Sequence, residues 1–132
     1  MKVMLDTNIC IYIIKQRPQS VLARFQDFHV GDIGISTITL AELQYGVMKS
    51  ARPRQNREGL KLFIAPLDVA SFNIAASETY GDVRASLEKS GRPIGAMDLL
   101  IAAHALSLDV KLATNNEREF KRVRGLQVEN WV

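Results

Sequence analysis

Val3-Met4-Leu5-Asp6-Thr7-Asn8-Ile9-Cys10-Ile11-Tyr12-Ile13-Ile14 is the stretch that decides the fold. Three apolar residues come first, an acid interrupts at Asp6, two polar cap-forming residues follow, and apolar character then resumes over Ile9–Ile14. A short strand that gives way at once to a helix accounts for this order. Thr7 or Asn8 is placed to cap that helix, which is expected to run to about Arg17, where Pro18 interrupts. An acid directly after an apolar strand is poorly placed for a core and well placed at the carboxyl end of a sheet. Open parallel sheets bind their ligands in that crevice.

The same alternation continues outward. A second short helix is expected from about Ser20 to Phe28, then a small strand at Ile33–Ile35 followed by the cap-rich Ser36-Thr37-Ile38-Thr39. Leu40, Leu43 and Val47 recur at helical spacing to about Ser50, and Pro53 opens a further helix to Ile64. Pro66–Val69 reads as a strand. Ser71 then caps a long helix with Phe72, Ala76, Tyr80, Val83 and Leu87 on one face, stopped by Gly91 and Pro93. Gly95-Ala96-Met97-Asp98 opens a helix that is apolar all round over Leu99–Ala103 and therefore central. Val110–Ala113 reads as a strand, Glu117–Arg122 as a short helix, and Val128 lies in a last edge strand. Short strands alternating with helices predict an α/β fold, a mostly parallel central sheet flanked by helices on both faces, in one domain over residues 1–132.

Composition agrees with that class. The chain has 132 residues, 47% hydrophobic and 23% charged, the balance of an ordinary globule with a core of its own. Cys10 is the single cysteine, which excludes an internal disulfide and a cysteine-rich zinc module and fits a reducing compartment. The longest unbroken apolar run, Ile9–Ile14, has six residues against the ~20 needed to cross a bilayer. Asp6 arrives before any signal-peptide core can form. The expectation is a soluble cytoplasmic protein. A net charge of +3 permits a polyanionic partner without demanding one. The cations fall in two clusters, Arg52, Arg54 and Arg57, and then Arg118, Lys121, Arg122 and Arg124. Either cluster taken alone reads first as a solvated helix face.

Three acids stand in apolar surroundings at element boundaries: Asp6, Glu42 and Asp98. Each has a structural reading of its own. Asp6 can cap the helix that follows it. Thr39-x-x-Glu42 matches a capping box, and Asp98 suits the N-terminal end of a helix dipole. Together they suggest more, because several buried carboxylates cost several kcal/mol each unless cations compensate. No Lys or Arg adjoins any of the three in sequence. A divalent ion is the natural compensation, and all-oxygen ligation selects Mg²⁺ or Mn²⁺ over zinc. His29 and His104 share no metal-ligand spacing, and His104 reads as a helix residue rather than a ligand or base.

Four blocks now line up: Met4-Leu5-Asp6-Thr7-Asn8; Thr39-Leu40-Ala41-Glu42-Leu43-x-Tyr45-Gly46; Gly91-Arg92-Pro93-Ile94-Gly95-x-x-Asp98 with Ile101-Ala102-Ala103-His104-Ala105; and Thr114-Asn115-Asn116-x-x-Glu119-Phe120. In this order, and down to the closing Glu129-Asn130-Trp131, the chain resembles the PIN-domain ribonucleases, specifically the VapC toxins of bacterial VapBC toxin–antitoxin pairs. The resemblance implies a parallel-sheet α/β fold and a metal-dependent endoribonuclease. It also implies a VapB-type antitoxin that inserts a C-terminal segment into the active cleft. By the same resemblance, Asp6, Glu42 and Asp98 match the acids that hold Mg²⁺ or Mn²⁺. The fourth family position, usually aspartate, falls on Asn116, with Glu119 near enough to serve. Thr7, Asn8, Thr114 and Asn115 match positions that orient the acids or bind the scissile phosphate.

Acids without a suitable histidine pair predict hydrolysis by water, leaving 5′-phosphate and 3′-hydroxyl ends. Substrate RNA needs a cationic track, for which Arg52, Arg54, Arg92, Arg118 and Lys121 are candidates. The resemblance makes tRNA cut in the anticodon stem-loop the expected substrate, and initiator tRNA the first to test. It also implies a homodimer within a toxin–antitoxin complex that meets operator DNA only through the antitoxin. Tyr45, Val47, Leu60 and Phe63 are candidates for a partner surface or for the core. Competing classes are a phosphoacceptor signalling domain, which wants an adjacent acidic pair and a lysine after a late strand, and a dehalogenase-type phosphatase, which wants Asp-x-Asp where position 8 is Asn8. A catalytically silent PIN-like RNA-binding or scaffold domain is the third.

Overall fold

Asp6 ends the middle strand of the sheet. In the computed structural model, which describes residues 1–132, β1 (Val3–Leu5) is buried on both faces and lies between β2 (Ile33–Ser36) and β4 (Lys111–Thr114). β3 (Asp68–Ala70) and β5 (Val128–Asn130) form the edges, giving the order β3-β2-β1-β4-β5. Every pairing is parallel, with Val3 opposite both Ile33 and Lys111 and Leu112 opposite Val128. The expected mostly parallel sheet is wholly parallel. Its strands therefore all end on one side of the molecule.

Helices cover both faces. α1 (Thr7–Ile14), α2 (Gln19–Gln26), α3 (Thr37–Met48) and α4 (Pro53–Ile64) contribute to one core, where Val3, Leu5, Ile9, Ile35, Leu43 and Leu60 meet Trp131. α5 (Ile74–Lys89), α6 (Ala96–Leu108) and α7 (Glu117–Phe120) lie over the other, where Met4, Leu112, Val83, Ile101 and Phe120 pack. Val3 and Leu5 point one way and Met4 the other, as the period of a strand requires. Because both faces are covered, β1 needs no polar alternation and reads as a plain apolar run. The C-terminus is fastened to α2: Arg24 Nε donates to Glu129 Oε1 at 2.6 Å, its guanidinium lies 4.9 Å from the Phe28 centroid, and Phe28 stacks on Trp131 at 5.6 Å.

The structure decides three helix starts. Asp6, rather than Thr7 or Asn8, caps α1, its Oδ1 accepting from Ile9 N at 2.9 Å. Ser36 caps α3 through Ile38 N at 3.0 Å, so Thr39 and Glu42 lie inside the helix and form no capping box. Asn73, not Ser71, caps α5, accepting from Ala76 N at 3.0 Å. In each case several cap-capable residues stand together, and tertiary packing selects among them. α1 also ends at Ile14, short of Arg17, and β4 begins one residue later than expected. Val47 and Leu60 belong to the core, and Phe63 packs against it, whereas Tyr45 stays 66% exposed.

Gly34 lies opposite Asp68 in the β2–β3 pairing, and a Cβ there would stand 2.3 Å from the Asp68 carbonyl oxygen. Gly34→Ala should therefore cost about 1–3 kcal/mol by forcing the edge strand away. Gly81→Ala, on an open face of α5, should instead be neutral or add up to ~1 kcal/mol. Urea unfolding of the two variants beside the wild type checks both signs.

Candidate active site

The common direction of the strands brings distant residues to one edge. β1 delivers Asp6, β4 delivers Thr114, Asn115 and Asn116, and the N-terminal halves of α3 and α6 supply Glu42 and Asp98. Asp6 is only 3% exposed. Its Oδ1 caps α1, and its Oδ2 accepts a close hydrogen bond from the Thr114 hydroxyl. Thr7 Oγ1 donates to Glu42 Oε1 at 2.6 Å, joining α1 to α3 across 35 residues. Asn116 Nδ2 donates to Glu119 Oε2 at 3.0 Å and reaches Asp98 Oδ2 at a longer 3.5 Å. The Asn116 backbone N–H donates in turn to Thr114 Oγ1 at 2.9 Å, so one hydroxyl holds both the Asp6 side and the Asn116 side of the cleft.

The electrostatics of this edge are one-sided. Burial pushes the Asp6 carboxyl up to about 6, and the neighbouring Glu42 charge adds to the rise, against the hydrogen bonds from Thr114 and Ile9. Asp98 is likewise raised to about 6, first by burial and then by the adjoining Glu119 carboxyl, with Asp6 and Glu42 adding repulsion. None of the ion pairs in the molecule reaches Asp6, Glu42, Asp98 or Glu119. Their donors are hydroxyls, an amide side chain and backbone N–H groups, all neutral. No three of these carboxylates converge as ready-made ligands of one point. Asp6 is fixed, while Glu42 and Glu119 sit on longer, rotatable stems. An all-oxygen donor set with surplus negative charge and no protein cation fits a hard divalent ion.

Of the remaining sequence candidates, Asn8 is exposed on the first turn of α1, and Asn115 Nδ2 donates to Tyr12 Oη at 3.0 Å. Tyr12 is a site neighbour that sequence reasoning missed. The available signal was its place one helical turn after Asn8. Arg52, Arg54, Arg92 and Arg118 are exposed and make no ion pair, whereas Lys121 is taken up by Glu117 at 2.9 Å. His104 is buried on α6 with Nδ1 at 2.7 Å from Ser36 Oγ and forms no hydrogen bond with the acids. Lys111, the lysine a phosphoacceptor reading would need, opens β4 at the end away from Asp6.

Residues 3–126 match the PIN domain family. The chain is 46% identical over 131 residues to the tRNA(fMet)-specific endonuclease VapC of Shigella flexneri, covering 99% of this chain and 98% of that one. It is 45% identical over 129 residues to ribonuclease VapC2 of Rickettsia felis, covering 97% and 96%. The chain belongs to the VapC family of PIN-domain proteins. Solved structures agree. VapBC2 from Rickettsia felis, bound to a DNA fragment from its promoter, aligns with a TM-score of 0.91 at 43% identity over 100% of both chains. DNA-bound VapBC from Salmonella typhimurium aligns with a TM-score of 0.94 at 41% identity, over 100% of this chain and 99% of that one. This VapC chain has an amide, Asn116, at the start of its last acidic block, and that amide holds Glu119 against Asp98.

A carboxyl raised in the folded chain binds protons that the unfolded chain has already released. Asp6 and Asp98 therefore make the metal-free protein lose stability as pH rises from about 4 to about 6. In EDTA the thermal midpoint should be higher at pH 5 than at pH 7. Asp98→Asn should raise the pH 7 midpoint by roughly 2–5 °C and flatten the profile. Differential scanning calorimetry reads both. A fall of several degrees would make Asp98 a stabilising helix-end charge instead.

Proposed function

We propose that this chain is the toxin of a type II toxin–antitoxin pair, an Mg²⁺- or Mn²⁺-dependent endoribonuclease that hydrolyses RNA phosphodiesters. One observation carries the reading: Asp6, Glu42, Asp98 and Glu119 are gathered at one end of the sheet on neutral donors alone, with two of them raised to about 6. Asp6, Asp98 and Glu42 would hold the ion, with Glu119 completing the acidic set in place of the missing aspartate at Asn116. When bound, the ion offsets the charge of carboxylates and phosphate, lowers the pKa of a water and stabilises the leaving oxygen.

The chain's own residues do the positioning. Thr114 and the Ile9 N–H fix the Asp6 carboxylate, Thr7 aims Glu42, and Asn116 keeps Glu119 beside Asp98. The Thr7 and Thr114 hydroxyls are committed to the acids, which leaves the exposed Asn8 amide, with Asn115 and Asn116 beside it, as the side-chain donors suited to a phosphate. His104 faces Ser36 and Phe72 inside the molecule, and His29 lies on the surface before β2, so no imidazole is at hand to take a proton from a 2′-hydroxyl. Water is then the nucleophile. The P–O3′ bond breaks and the products carry 5′-phosphate and 3′-hydroxyl ends.

The substrate class is tRNA, cut in the anticodon stem-loop, with initiator tRNA first. The name of the Shigella flexneri relative supports this choice. Arg52, Arg54, Arg92 and Arg118 are unpaired cations available to the RNA backbone. A VapB-type antitoxin neutralises the toxin, the chain forms a homodimer within that complex, and operator DNA is met through the antitoxin. The DNA-bound VapBC structures from Rickettsia felis and Salmonella typhimurium support the pairing with an antitoxin and the link to DNA. The site of action is the cytoplasm. No helix is long and apolar enough to cross a membrane.

Purified initiator tRNA incubated with the chain should be cut once Mg²⁺ or Mn²⁺ is supplied and left intact in EDTA. Asp6→Asn and Asp98→Asn should each lower kcat by about 100-fold or more, and Asn116→Ala should weaken the apparent metal affinity about 10–100-fold. Activity at limiting metal should rise with pH through about 6, because protons compete for Asp6 and Asp98 below that value. Undiminished cleavage in EDTA, or 2′,3′-cyclic phosphate ends, would overturn the mechanism.

A further inference from the structure

At its far end α1 carries a feature that the acid cluster does not use. Tyr12, Lys15 and Arg17 line a depression of about 340 Å³ together with Ile11 and Pro18. Lys15 and Arg17 are exposed, and neither forms an ion pair with any carboxylate. The depression joins the candidate active site from two directions. Lys15 also lines the groove of about 660 Å³ between α1, α3 and α4 that contains Glu42. Tyr12 Oη accepts from Asn115 Nδ2 at 3.0 Å, and Asn115 adjoins Thr114, which holds Asp6. The Asn115 side-chain oxygen is buried without a partner. Asn8, Tyr12 and Lys15 share one face of α1 at spacings of four and three, so the face runs from the acids outward. Lys15 stands nine residues beyond Asp6, about 14 Å along the helix axis.

We propose that Tyr12, Lys15 and Arg17 form an RNA subsite beside the scissile phosphodiester, the two cations holding backbone phosphates and the tyrosine ring carrying an unpaired base. The subsite rests on the nuclease reading of the acid cluster. A polyanion approaching four carboxylates is repelled unless cations stand close by, and Lys15 and Arg17 are the unpaired cations sharing a depression with a residue bonded to the site. The cations can also settle the C-terminal dipole of α1, since Lys15 is its C-cap. That role needs neither the depression nor an aromatic residue at its wall. Unpaired bases stack on aromatic side chains whatever their identity, so Tyr12 fits a looped-out nucleotide. An acidic protein segment is the competing occupant. The apolar walls at Leu43, Val47 and Leu60, however, line the groove on the other side of Lys15, not this depression.

The test uses the full chain and fluorescein-labelled initiator tRNA, with affinity read by anisotropy in an Asp98→Asn background and cleavage read in the otherwise native chain. Lys15→Gln with Arg17→Gln should weaken RNA binding about 10-fold or more at 0.1 M salt, raise KM with kcat little changed, and lower the thermal midpoint by no more than a few degrees. The slope of log affinity against log salt should shrink by roughly 0.7 for each phosphate that the double variant no longer neutralises. Tyr12→Ala should weaken binding where Tyr12→Phe, which keeps the ring, does not. If wild type cuts the RNA while the double variant binds and cuts it equally well, the subsite is overturned. It is also overturned if the double variant loses affinity for the antitoxin alone. If wild type cuts no RNA in Mg²⁺, the nuclease reading fails, and the anisotropy arm still decides whether these residues bind RNA.

Discussion

Asp6 is a carboxylate taken almost wholly out of water at the end of the central strand, satisfied by one hydroxyl and one backbone N–H. Much else follows from that placement. One oxygen starts α1, and the other ties the end of β1 to the end of β4, 108 residues away. Neutral donors only partly repay the loss of hydration, and the carboxyl stays raised. Glu42, Asp98 and Glu119 add charge of the same sign. The fold therefore stores an electrostatic imbalance at the one edge where a parallel sheet receives ligands. A positively charged ligand there is stabilised by the same repulsion that destabilises the free protein.

Capping and ligation are not rival explanations of these acids. Asp6 performs the cap with Oδ1, and that bond orients Oδ2 toward Thr114 and the cleft. Asp98 lies in the first turn of α6, where the helix dipole favours its ionised form while burial and Glu119 oppose it. Glu42 is different. With α3 beginning after Ser36, it lies in the second turn, its side chain is free of the backbone, and Thr7 takes it up. Of the three, Glu42 alone owes nothing to the termini of its helix, and its bond across α1 and α3 serves the site.

The class of fold and the placement of the acids at element boundaries were legible because both leave local traces. A three-residue apolar run ending in an acid, and a helix apolar all round, describe a buried parallel strand and a central helix without any partner being known. The direction of every strand follows from the helices between them. Cap residues were less legible, since Asp6, Thr7 and Asn8 are all competent caps, as are Ser71 and Asn73, and packing decides among them. The long-range pairs left no trace at all: Thr7 with Glu42, Tyr12 with Asn115, Arg24 with Glu129. Val47 and Leu60 read as partner surface or core alike, because the groove between α3 and α4 is created only by the tertiary arrangement. Asn116 read as a defect in an acidic pattern. Its amide is in fact what places Glu119 beside Asp98, a role that needs two donors on one nitrogen and that an aspartate lacks.

Holding like charges together also requires support from behind, and His104 shows how it is given. It lies six residues beyond Asp98 on α6 and bonds, at 2.7 Å, the hydroxyl of Ser36, which lies six residues before Glu42 and caps α3. Phe72 meets the imidazole edge-on at 5.4 Å, and its backbone N–H donates to Thr37 Oγ1 at 3.1 Å, fastening the segment before α5 to the same junction. The two helices that carry opposing acids are thus joined on the inner side of the repulsion. Burial lowers the pKa of His104, so the imidazole is neutral at pH 7 and gives the acids no counter-charge. A cation in that position would have compensated the carboxylates internally and left nothing for a divalent ion to offset. A neutral, buried, hydrogen-bonded ring supplies rigidity while leaving the imbalance at the cleft intact.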